Sequence, residues 1–307
     1  MCFTSQFWAL TVAGLSIGSV YALIALGYTL VYGVLQLINF AHSEVFMLGA
    51  FGAVFALRPL VDGTPSGMDS VALVAFGVLV GGLTGAVAAF LLERTAYRPL
   101  RRRNAPKLAY LISAIGASLF MINIAGKEFG RLAINVPQLY TSGTVFTVFG
   151  TPVKTQQLVL AGAALAMLVV LDRIVNASKL GQGIRAVAQD AETASLMGVD
   201  IDRVIVTTFL IGGFLGGAAG FLFGSITNVQ HTMGFLPGVK AFTAAVLGGI
   251  GNVRGAVLGG LILGLVENYG VACSDSAYRD VIAFSILVLV LLVRPSGLLG
   301  ERLGRSA

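Results

Sequence analysis

The stretch that decides the fold is residues 204–239, VIVTTFLIGGFLGGAAGFLFGSITNVQHTMGFLPGV, which contains no Asp, Glu, Lys or Arg. A charged side chain at the centre of a bilayer costs about 2.5–3.5 kcal/mol on insertion scales, so such a run is typical of membrane-embedded segments. Its glycines recur every four residues, at 212, 216, 220 and 224. On a helix this spacing gives one face of small residues, which lets a neighbouring backbone approach closely. The stretch predicts a tightly packed helix in lipid.

Other charge-free windows lie at residues 1–41, 70–92, 108–126 and 155–171. About 20 helical residues cross a hydrocarbon core of about 30 Å, so each long window predicts a span; the first is assigned to residues 9–26. Only 11% of the 307 residues are charged, against about 25% in soluble domains. This composition excludes an ordinary soluble enzyme. It predicts an all-α, polytopic integral membrane protein with a single domain over residues 1–307.

Two apolar pieces are too short to cross a bilayer comfortably, at residues 28–38 and 239–250. Each runs into a polar or glycine-rich interruption, residues 39–44 and 251–255 respectively. Short, interrupted segments in the two halves of a chain indicate broken helices along a transporter's substrate pathway. The alternative is two full spans with polar ends. The sequence predicts eight transmembrane helices if both pieces are broken, and up to ten if both cross.

The basic residues predict the orientation of the chain. They concentrate in residues 94–107, 173–203 and 294–305. Cytoplasmic loops carry an excess of Lys and Arg, so these three segments, including the C-terminus, are predicted to be cytoplasmic. The net charge of +6 therefore reflects loops beside anionic lipid rather than nucleic-acid binding.

The most informative polar segment is the connection at residues 176–203. Helix-forming residues concentrate around positions 184–197, small residues occupy positions 188, 191, 194 and 195, and Leu196 and Met197 provide an apolar edge. A short amphipathic helix of this kind can bind in a groove of a soluble partner. It can equally lie on the membrane surface, and composition does not decide between the two.

No catalytic, metal-binding or nucleotide-binding motif is present. The sequence lacks the G-x-S-x-G, H-E-x-x-H and G-x-x-x-x-G-K-[ST] patterns, and its only histidines are His42 and His231. We therefore predict no catalytic residue, no metal and no cofactor in this chain, and if ATP drives its activity, another chain must bind the nucleotide.

Several sequence runs point to a known family. Residues 192–198, ETASLMG, resemble the EAA-x-x-x-G loop through which permeases of binding-protein-dependent ABC importers bind their ATPases, with Thr193 as a departure. Residues 38–45, 93–99, 240–251 and 294–300 resemble the LivH-type permeases of high-affinity branched-chain amino acid importers. Ser43 stands where that family usually carries Gly. The resemblance covers nearly the whole chain.

The resemblance implies an assembly in a bacterial inner membrane. Its expected components are this multi-pass permease, a second homologous, LivM-like permease, two ATPase subunits, and a periplasmic or lipid-anchored solute-binding protein. ATP and Mg²⁺ would be bound by the ATPases, and the amino-acid substrate would pass between the two permeases. Nucleic acid is not an expected partner.

Candidate site residues fall into two groups. For ATPase docking the resemblance indicates the loop residues Arg185, Asp190, Glu192, Ala194 and Gly198. Gly198 can end a helix in the left-handed conformation. The alternative for these residues is a solvated loop face.

For the translocation pathway the candidates are Asn39, His42 and Glu44, because ionisable groups at membrane depth are costly and mark function. Asn39 could instead cap a helix, and His42 and Glu44 could lie at the cytoplasmic interface. Lys240 and Glu267 are weaker candidates that we expect to reach an interface by snorkelling.

Three alternatives to a branched-chain amino acid permease remain. A related importer could carry urea, short amides or other amino acids. A channel or ion-coupled carrier could act alone, although the sequence lacks paired Asn-Pro-Ala turns. A membrane enzyme is disfavoured because no nucleophile, acid–base pair or metal site clusters in the sequence.

Overall fold

Helices account for most of the chain, as the charge-free windows predict. The computed structural model describes residues 2–61, 63, 65, 67–141, 143–272, 278–294 and 296–300; the basic residues Arg302 and Arg305 lie outside them. The helices are α1 (Cys2–Leu35), α2 (His42–Leu57), α3 (Met68–Leu92), α4 (Arg98–Arg102), α5 (Lys107–Glu128), α6 (Thr155–Ala177), α7 (Lys179–Gln189), α8 (Ala191–Leu196), α9 (Ile201–Gly224), α10 (Phe235–Gly248), α11 (Val253–Val271) and α12 (Arg279–Val293). A 3₁₀ turn, Arg58–Leu60, follows α2, and a π-helical turn, Glu93–Tyr97, joins α3 to α4.

Among the described residues, six helical segments are long and apolar enough to cross a membrane. They are 6–35, 42–60, 68–102, 107–128, 155–177 and 201–224. The chain is therefore a polytopic helical protein. The all-α prediction omitted one element, a two-stranded antiparallel hairpin formed by β1 (Thr144–Val148) and β2 (Thr151–Lys154). This hairpin lies between α5 and α6, outside the apolar helices.

Glycine faces hold the helices together, as the spacing by four predicts. A Cβ atom on Gly217 of α9 would lie 2.2 Å from the carbonyl oxygen of Gly81 in α3. A Cβ on Gly14 of α1 would lie 3.0 Å from the carbonyl oxygen of Gly264 in α11, and one on Gly18 would lie 2.9 Å from that of Gly260. These backbones approach so closely that any larger side chain at the contacts would separate the helices.

The same contacts fix the directions of the helices. Because Gly14 faces Gly264 and Gly18 faces Gly260, α1 and α11 run antiparallel. Val34 near the end of α1 shares a buried cluster with Ile184 of α7. We call this end of the bundle, which also contains α4 and the start of α9, the basic end. Both α9 and α11 therefore start at the basic end and run away from it.

The two predicted interruptions have different outcomes. Residues 28–35 are not a separate short element, because α1 continues without a break to Leu35. Glycine is frequent in transmembrane helices, and at Gly27 it leaves room for the His42 ring, which a Cβ would meet. The break falls at residues 36–41, where Gln36 has φ +51°. The second short piece corresponds to α10, which has only 14 residues and ends at Gly249, with φ +106°.

Candidate functional site

Ser178–Asp200, which we call the 178–200 connection, folds as two short helices at the basic end. The predicted helix around residues 184–197 is divided at Asp190, which ends α7 and starts α8. The Asp190 carboxylate accepts hydrogen bonds from the backbone amides of Glu192, at 2.9 Å, and Thr193, at 3.1 Å. An aspartate that caps a new helix in this way competes with continuation of the old one, which explains the division.

The electrostatics of Asp190 follow from this cap. Thr193 also donates its hydroxyl to Asp190 Oδ2 at 2.6 Å. Hydrogen bonds to the ionised form stabilise it, and those from the Thr193 hydroxyl and from the Thr193 and Glu192 amides lower the pKa of Asp190 below its usual value. The cap is therefore charged at neutral pH and complements the N-terminus of α8.

The end of α8 is a glycine-terminated turn that exposes two apolar side chains. Gly198 has φ +87°, its amide donates to the Ser195 carbonyl, and the Val199 amide donates to the Ala194 carbonyl at 3.0 Å. This paired pattern is the Schellman motif, which requires the left-handed conformation that we predicted for Gly198. Just before it, Leu196 is 85% exposed and Met197 is 81% exposed. This adjacent pair of exposed apolar side chains would gain from being covered by a partner.

A chain of ion pairs links this connection to the end of α3. Asp202, in the first turn of α9, accepts from Arg101 at 2.8 Å and lies 3.4 Å from Arg98. Arg101 also contacts Glu93, at 3.1 Å, whose side chain is fully buried. Among the described residues, Glu93 Oε2, Arg98 Nε and Arg101 Nη1 have no hydrogen-bond partner. The network is therefore only partly satisfied.

One hydrogen bond connects the π-helical turn at the end of α3 to the segment just before α2. Tyr97 lies in the same π-helical turn as Glu93 and donates its hydroxyl to Asn39 Oδ1 at 2.9 Å. The same oxygen accepts from the Ala41 amide at 3.1 Å. Both Asn39 and Tyr97 are buried. Asn39 therefore fixes the turn immediately before α2, but it is not the N-cap. That position is occupied by Ala41, and no side chain caps the helix, so the capping alternative for Asn39 is wrong.

Two ionisable residues follow at the start of α2, inside the bundle. Ser118 donates to Glu44 Oε1 at 3.2 Å, and the Ser43 hydroxyl lies 3.1 Å from the same oxygen. Glu44 Oε2 has no hydrogen-bond partner in the part of the chain that the structure describes. A Cβ on Gly234, the residue before α10, would lie 3.3 Å from this oxygen. The free oxygen of Glu44 therefore faces the start of the short helix.

His42 lies near Glu44 in α2, and its side chain is enclosed by the Tyr28 ring and by the backbone of α9 at Gly216. Its ring packs edge-on against Tyr28 at a centroid distance of 4.8 Å, and a Cβ on Gly216 would lie 3.1 Å from its Cε1. Its Nε2 has no partner among the described residues. We call Tyr28, His42, Ser43, Glu44 and Ser118 the buried cluster.

The buried cluster lies deep in the bundle. Gly216 is 15 residues after Ile201 in a helix of 24 residues, which places it about 22 Å along a helix of about 36 Å. Ser118 is near the middle of the 22-residue helix α5. His42 and Glu44 therefore lie inside the helical bundle, and their depth in the membrane stays a prediction.

Comparison with known proteins decides the family. The sequence profile of the family described as "Branched-chain amino acid transport system / permease component" matches residues 10–291. The chain belongs to this family.

Curated permeases are similar over nearly their whole length. The high-affinity branched-chain amino acid transport system permease protein LivH of Escherichia coli strain K12 is 41% identical over 293 residues, covering 94% of each chain. The corresponding protein BraD of Pseudomonas aeruginosa is also 41% identical, over 295 residues and 94% of each chain. A probable LivH of Methanocaldococcus jannaschii is 26% identical over 289 residues, covering 91% of this chain and 88% of the relative.

The candidate docking residues of this permease differ in exposure and in the contacts that they make. Glu192 and Gly198 lie on the exposed surface of the 178–200 connection, and Asp190 caps its second helix. Ala194 is only 5% exposed and packs in the same buried cluster as Ile184. Ala194 therefore presents little side-chain surface to a partner in this conformation. Arg185 turns its guanidinium towards the Val175 carbonyl in the last turn of α6, so it secures the connection to the bundle.

Lys240 and Glu267 differ from the snorkelling expectation. Lys240 Nζ lies 2.9 Å from Glu267 Oε1 and 2.7 Å from Asp280 Oδ1, and Arg279 Nε lies 3.4 Å from Glu267 Oε1. Lys240 and Glu267 are buried. Because each charge has an opposite charge inside the permease, neither needs to reach water. The ion pairs join α10, α11 and α12.

Sequence reasoning missed the residues that connect these elements. Tyr97, Ser118 and Asp202 were not candidates, because their partners Asn39, Glu44 and Arg101 lie 58, 74 and 101 positions away in the chain. For the exposed surface of the 178–200 connection, the sequence did give a signal, which was the apolar edge formed by Leu196 and Met197. Among the described residues, no group of three or more His, Cys, Asp or Glu side chains could hold a metal ion.

Proposed function

We propose that this chain is a membrane-spanning subunit of an ABC importer that moves branched-chain amino acids across a bacterial inner membrane. The observation that carries this proposal is its 41% identity, over 94% of both chains, to permeases named for branched-chain amino acid transport. Similarity over the full length, rather than in one motif, supports a shared role.

The proposal requires partner chains. The sequence contains no phosphate-binding loop, so ATP and Mg²⁺ belong to two ATPase subunits at the basic end. A second, LivM-like permease would complete the pathway, and a periplasmic or lipid-anchored binding protein would deliver the amino acid. The basic end then faces the cytoplasm, together with the C-terminus, in accord with the positive-inside rule.

We propose nine crossings, within the predicted range of eight to ten. Eight are helices: the six long apolar segments, α11 with 19 residues and α12 with 15. Because α9 and α11 both start at the basic end, residues 225–252 must return across the membrane between them. Helix α10 covers only 14 residues, about 21 Å, so this crossing is discontinuous.

For the pathway we propose that His42 and Glu44 border the moving solute where α2 and α10 both begin. Discontinuous helices surround substrates at membrane depth in other transporters. The unpartnered oxygen of Glu44 suits the ammonium group of an amino acid, since a carboxylate strongly favours a cationic donor. Asn39 is assigned a positioning role, because its side-chain oxygen is already occupied by Tyr97 and Ala41.

For docking we propose that Leu196 and Met197 enter an apolar groove of the ATPase, with Glu192 at the rim. Both apolar side chains are more than four-fifths exposed, and a helix with exposed apolar anchors suits a groove. Arg185, Asp190, Ala194 and Gly198 hold the shape of this surface. Nucleotide-driven movement would then reach α2 through Asp202, Arg101, Glu93, Tyr97 and Asn39. Ion pairs join the first three and a hydrogen bond joins the last two, while Glu93 and Tyr97 share one helical turn.

The experiment is solute uptake into proteoliposomes that contain the purified full complex with its binding protein. We expect ATP-dependent uptake of radiolabelled leucine, inhibited by excess isoleucine and valine but not by urea or acetamide. Uptake of urea or acetamide without competition from leucine would contradict the assignment of branched-chain amino acids as the substrates. Uptake by the isolated chain without ATPase subunits would overturn the importer assignment itself.

A further inference from the structure

An open, arginine-lined cavity lies at the surface of the basic end, beside the start of α9 and away from the buried cluster. It has a volume of about 390 Å³ and is lined by Arg94, Arg98, Pro99, Arg102 and Arg103. Four arginines, three of them exposed, therefore border one open space. Arginine binds phosphate oxygens in a planar, two-pronged geometry, which makes such a cluster suited to a phosphate ester.

Most of this positive charge is not balanced by the protein. Within the described part of the chain, Arg94, Arg102 and Arg103 form no ion pair, and Arg98 contacts Asp202 only at 3.4 Å. The closer contact of Asp202 goes to Arg101, at 2.8 Å, which does not line the cavity. Like charges held together repel one another, so an anionic ligand would stabilise the cavity.

An apolar stripe leads directly from the membrane to the cavity. Leu83, Val87 and Leu91 of α3 are 52%, 57% and 53% exposed. They are spaced by four, and Arg94 follows three residues later, so they form one face of the helix. Segment 68–102 is one of the long apolar helices. In the membrane orientation of the proposed function, the exposed stripe would face lipid chains, and the arginines would follow it at the level of the lipid headgroups.

We propose that this cavity binds the phosphodiester of an anionic phospholipid, with an acyl chain along Leu83, Val87 and Leu91. The apolar stripe favours a phospholipid over free phosphate, because only a lipid joins a phosphate to a hydrocarbon chain. The inference rests on the membrane orientation of the proposed function and is independent of the transported solute.

The test uses the purified full complex in nanodiscs of phosphatidylcholine with or without phosphatidylglycerol. Phosphatidylglycerol that remains bound after transfer to detergent is counted by native mass spectrometry, and the Tm is recorded in parallel. The test variant is Arg94→Gln/Arg102→Gln/Arg103→Gln, and the matched control is Lys127→Gln/Arg131→Gln, which removes exposed charges at the opposite end of α5. A third variant with Lys at the three arginine positions keeps the charge but not the guanidinium geometry.

We expect the wild-type complex to retain phosphatidylglycerol and to gain Tm from it, and millimolar inorganic phosphate not to displace the lipid. Each basic residue near an anionic headgroup contributes roughly a fivefold change in affinity, so the glutamine variant should retain at least about tenfold less lipid. The control should behave as wild type, and the lysine variant should be intermediate. Equal lipid retention by the glutamine variant and wild type would overturn the proposal, as would displacement by phosphate. Loss of ATPase subunits at unchanged lipid retention would instead assign the arginines to the partner interface.

Discussion

The 178–200 connection and the buried cluster differ in which of their groups have partners within the chain. In the connection, backbone groups at helix ends find local partners, such as Asp190 at the start of α8, while Leu196 and Met197 point outwards. In the buried cluster Tyr28, His42, Ser43 and Glu44 are buried and Ser118 is half-buried, yet His42 Nε2 and Glu44 Oε2 have no partner among the described residues.

The difference indicates where each region needs a second component. The connection holds its shape alone and presents an apolar surface that gains from being covered. The buried cluster keeps polar atoms in a low-dielectric interior, where an unpaired group is costly. Such a site gains from a polar ligand or from rearrangement. A partner protein suits the first region and a solute suits the second.

The largest effect is expected when the apolar surface of the connection is removed. Leu196→Ser/Met197→Ser should weaken ATPase binding by about a hundredfold, since two anchor side chains at an interface contribute about 3 kcal/mol together. Uptake should fall in parallel, while the amount and Tm of the permease stay unchanged. Co-purification of the ATPase and binding titrations measure the effect.

The matched control for this variant is Leu132→Ser. Leu132 is 85% exposed, as Leu196 is, but lies in the connection between α5 and α6. Equal loss of ATPase from both variants, or normal binding by the double variant, would remove the docking role from the connection.

The next largest effect concerns Glu44. Glu44→Gln keeps the size of the side chain and its acceptance from Ser118 but removes the negative charge. Hydrogen bonds to charged groups contribute about 1.5–3 kcal/mol, so leucine uptake should fall by at least about tenfold while ATPase binding is retained. Ser118→Ala, which removes only one donor to Glu44, should cost less. Urea and amides lack an ammonium group, so unchanged uptake in Glu44→Gln would favour such a substrate or a position outside the pathway.

An intermediate effect is expected at the contact between the two regions. Tyr97→Phe removes the hydrogen bond to Asn39 and leaves the buried ring. A neutral hydrogen bond contributes about 1 kcal/mol, so the amount of leucine moved per ATP hydrolysed should fall by about fivefold. Tyr110→Phe is the control, because the Tyr110 hydroxyl makes no hydrogen bond within the described part of the chain. A fall in uptake with an unchanged ratio to ATP hydrolysis would contradict the coupling role of Tyr97.

The two regions also differ in how far the sequence predicted them. The spacing of glycines by four predicted close helix contacts, and a Gly198 stop was predictable because left-handed backbone strongly favours glycine. These signals are local. The continuity of α1 through Gly27 was missed, because the sequence does not show that the His42 ring occupies the space beside this glycine. Similarly, Ala194 has the composition of a surface contact and is buried only because α7 and α9 pack around it.

The smallest effect is expected at Asp190, and it should depend on pH. Asp190→Ala removes the N-cap of α8, so the amides of Glu192 and Thr193 should exchange with deuterium a few-fold faster, while Asp190→Asn, which caps equally well, should resemble wild type at pH 7. The pKa of Asp190 is lowered in the folded chain, so its contribution is present above the usual aspartate pKa and is lost as the pH falls through the folded value. Protection of the two amides should therefore decline in wild type under acidic conditions but not in Asp190→Asn, which has no carboxyl to protonate. Equal acid sensitivity of both proteins would show that α8 is held by Ala194 packing rather than by its cap.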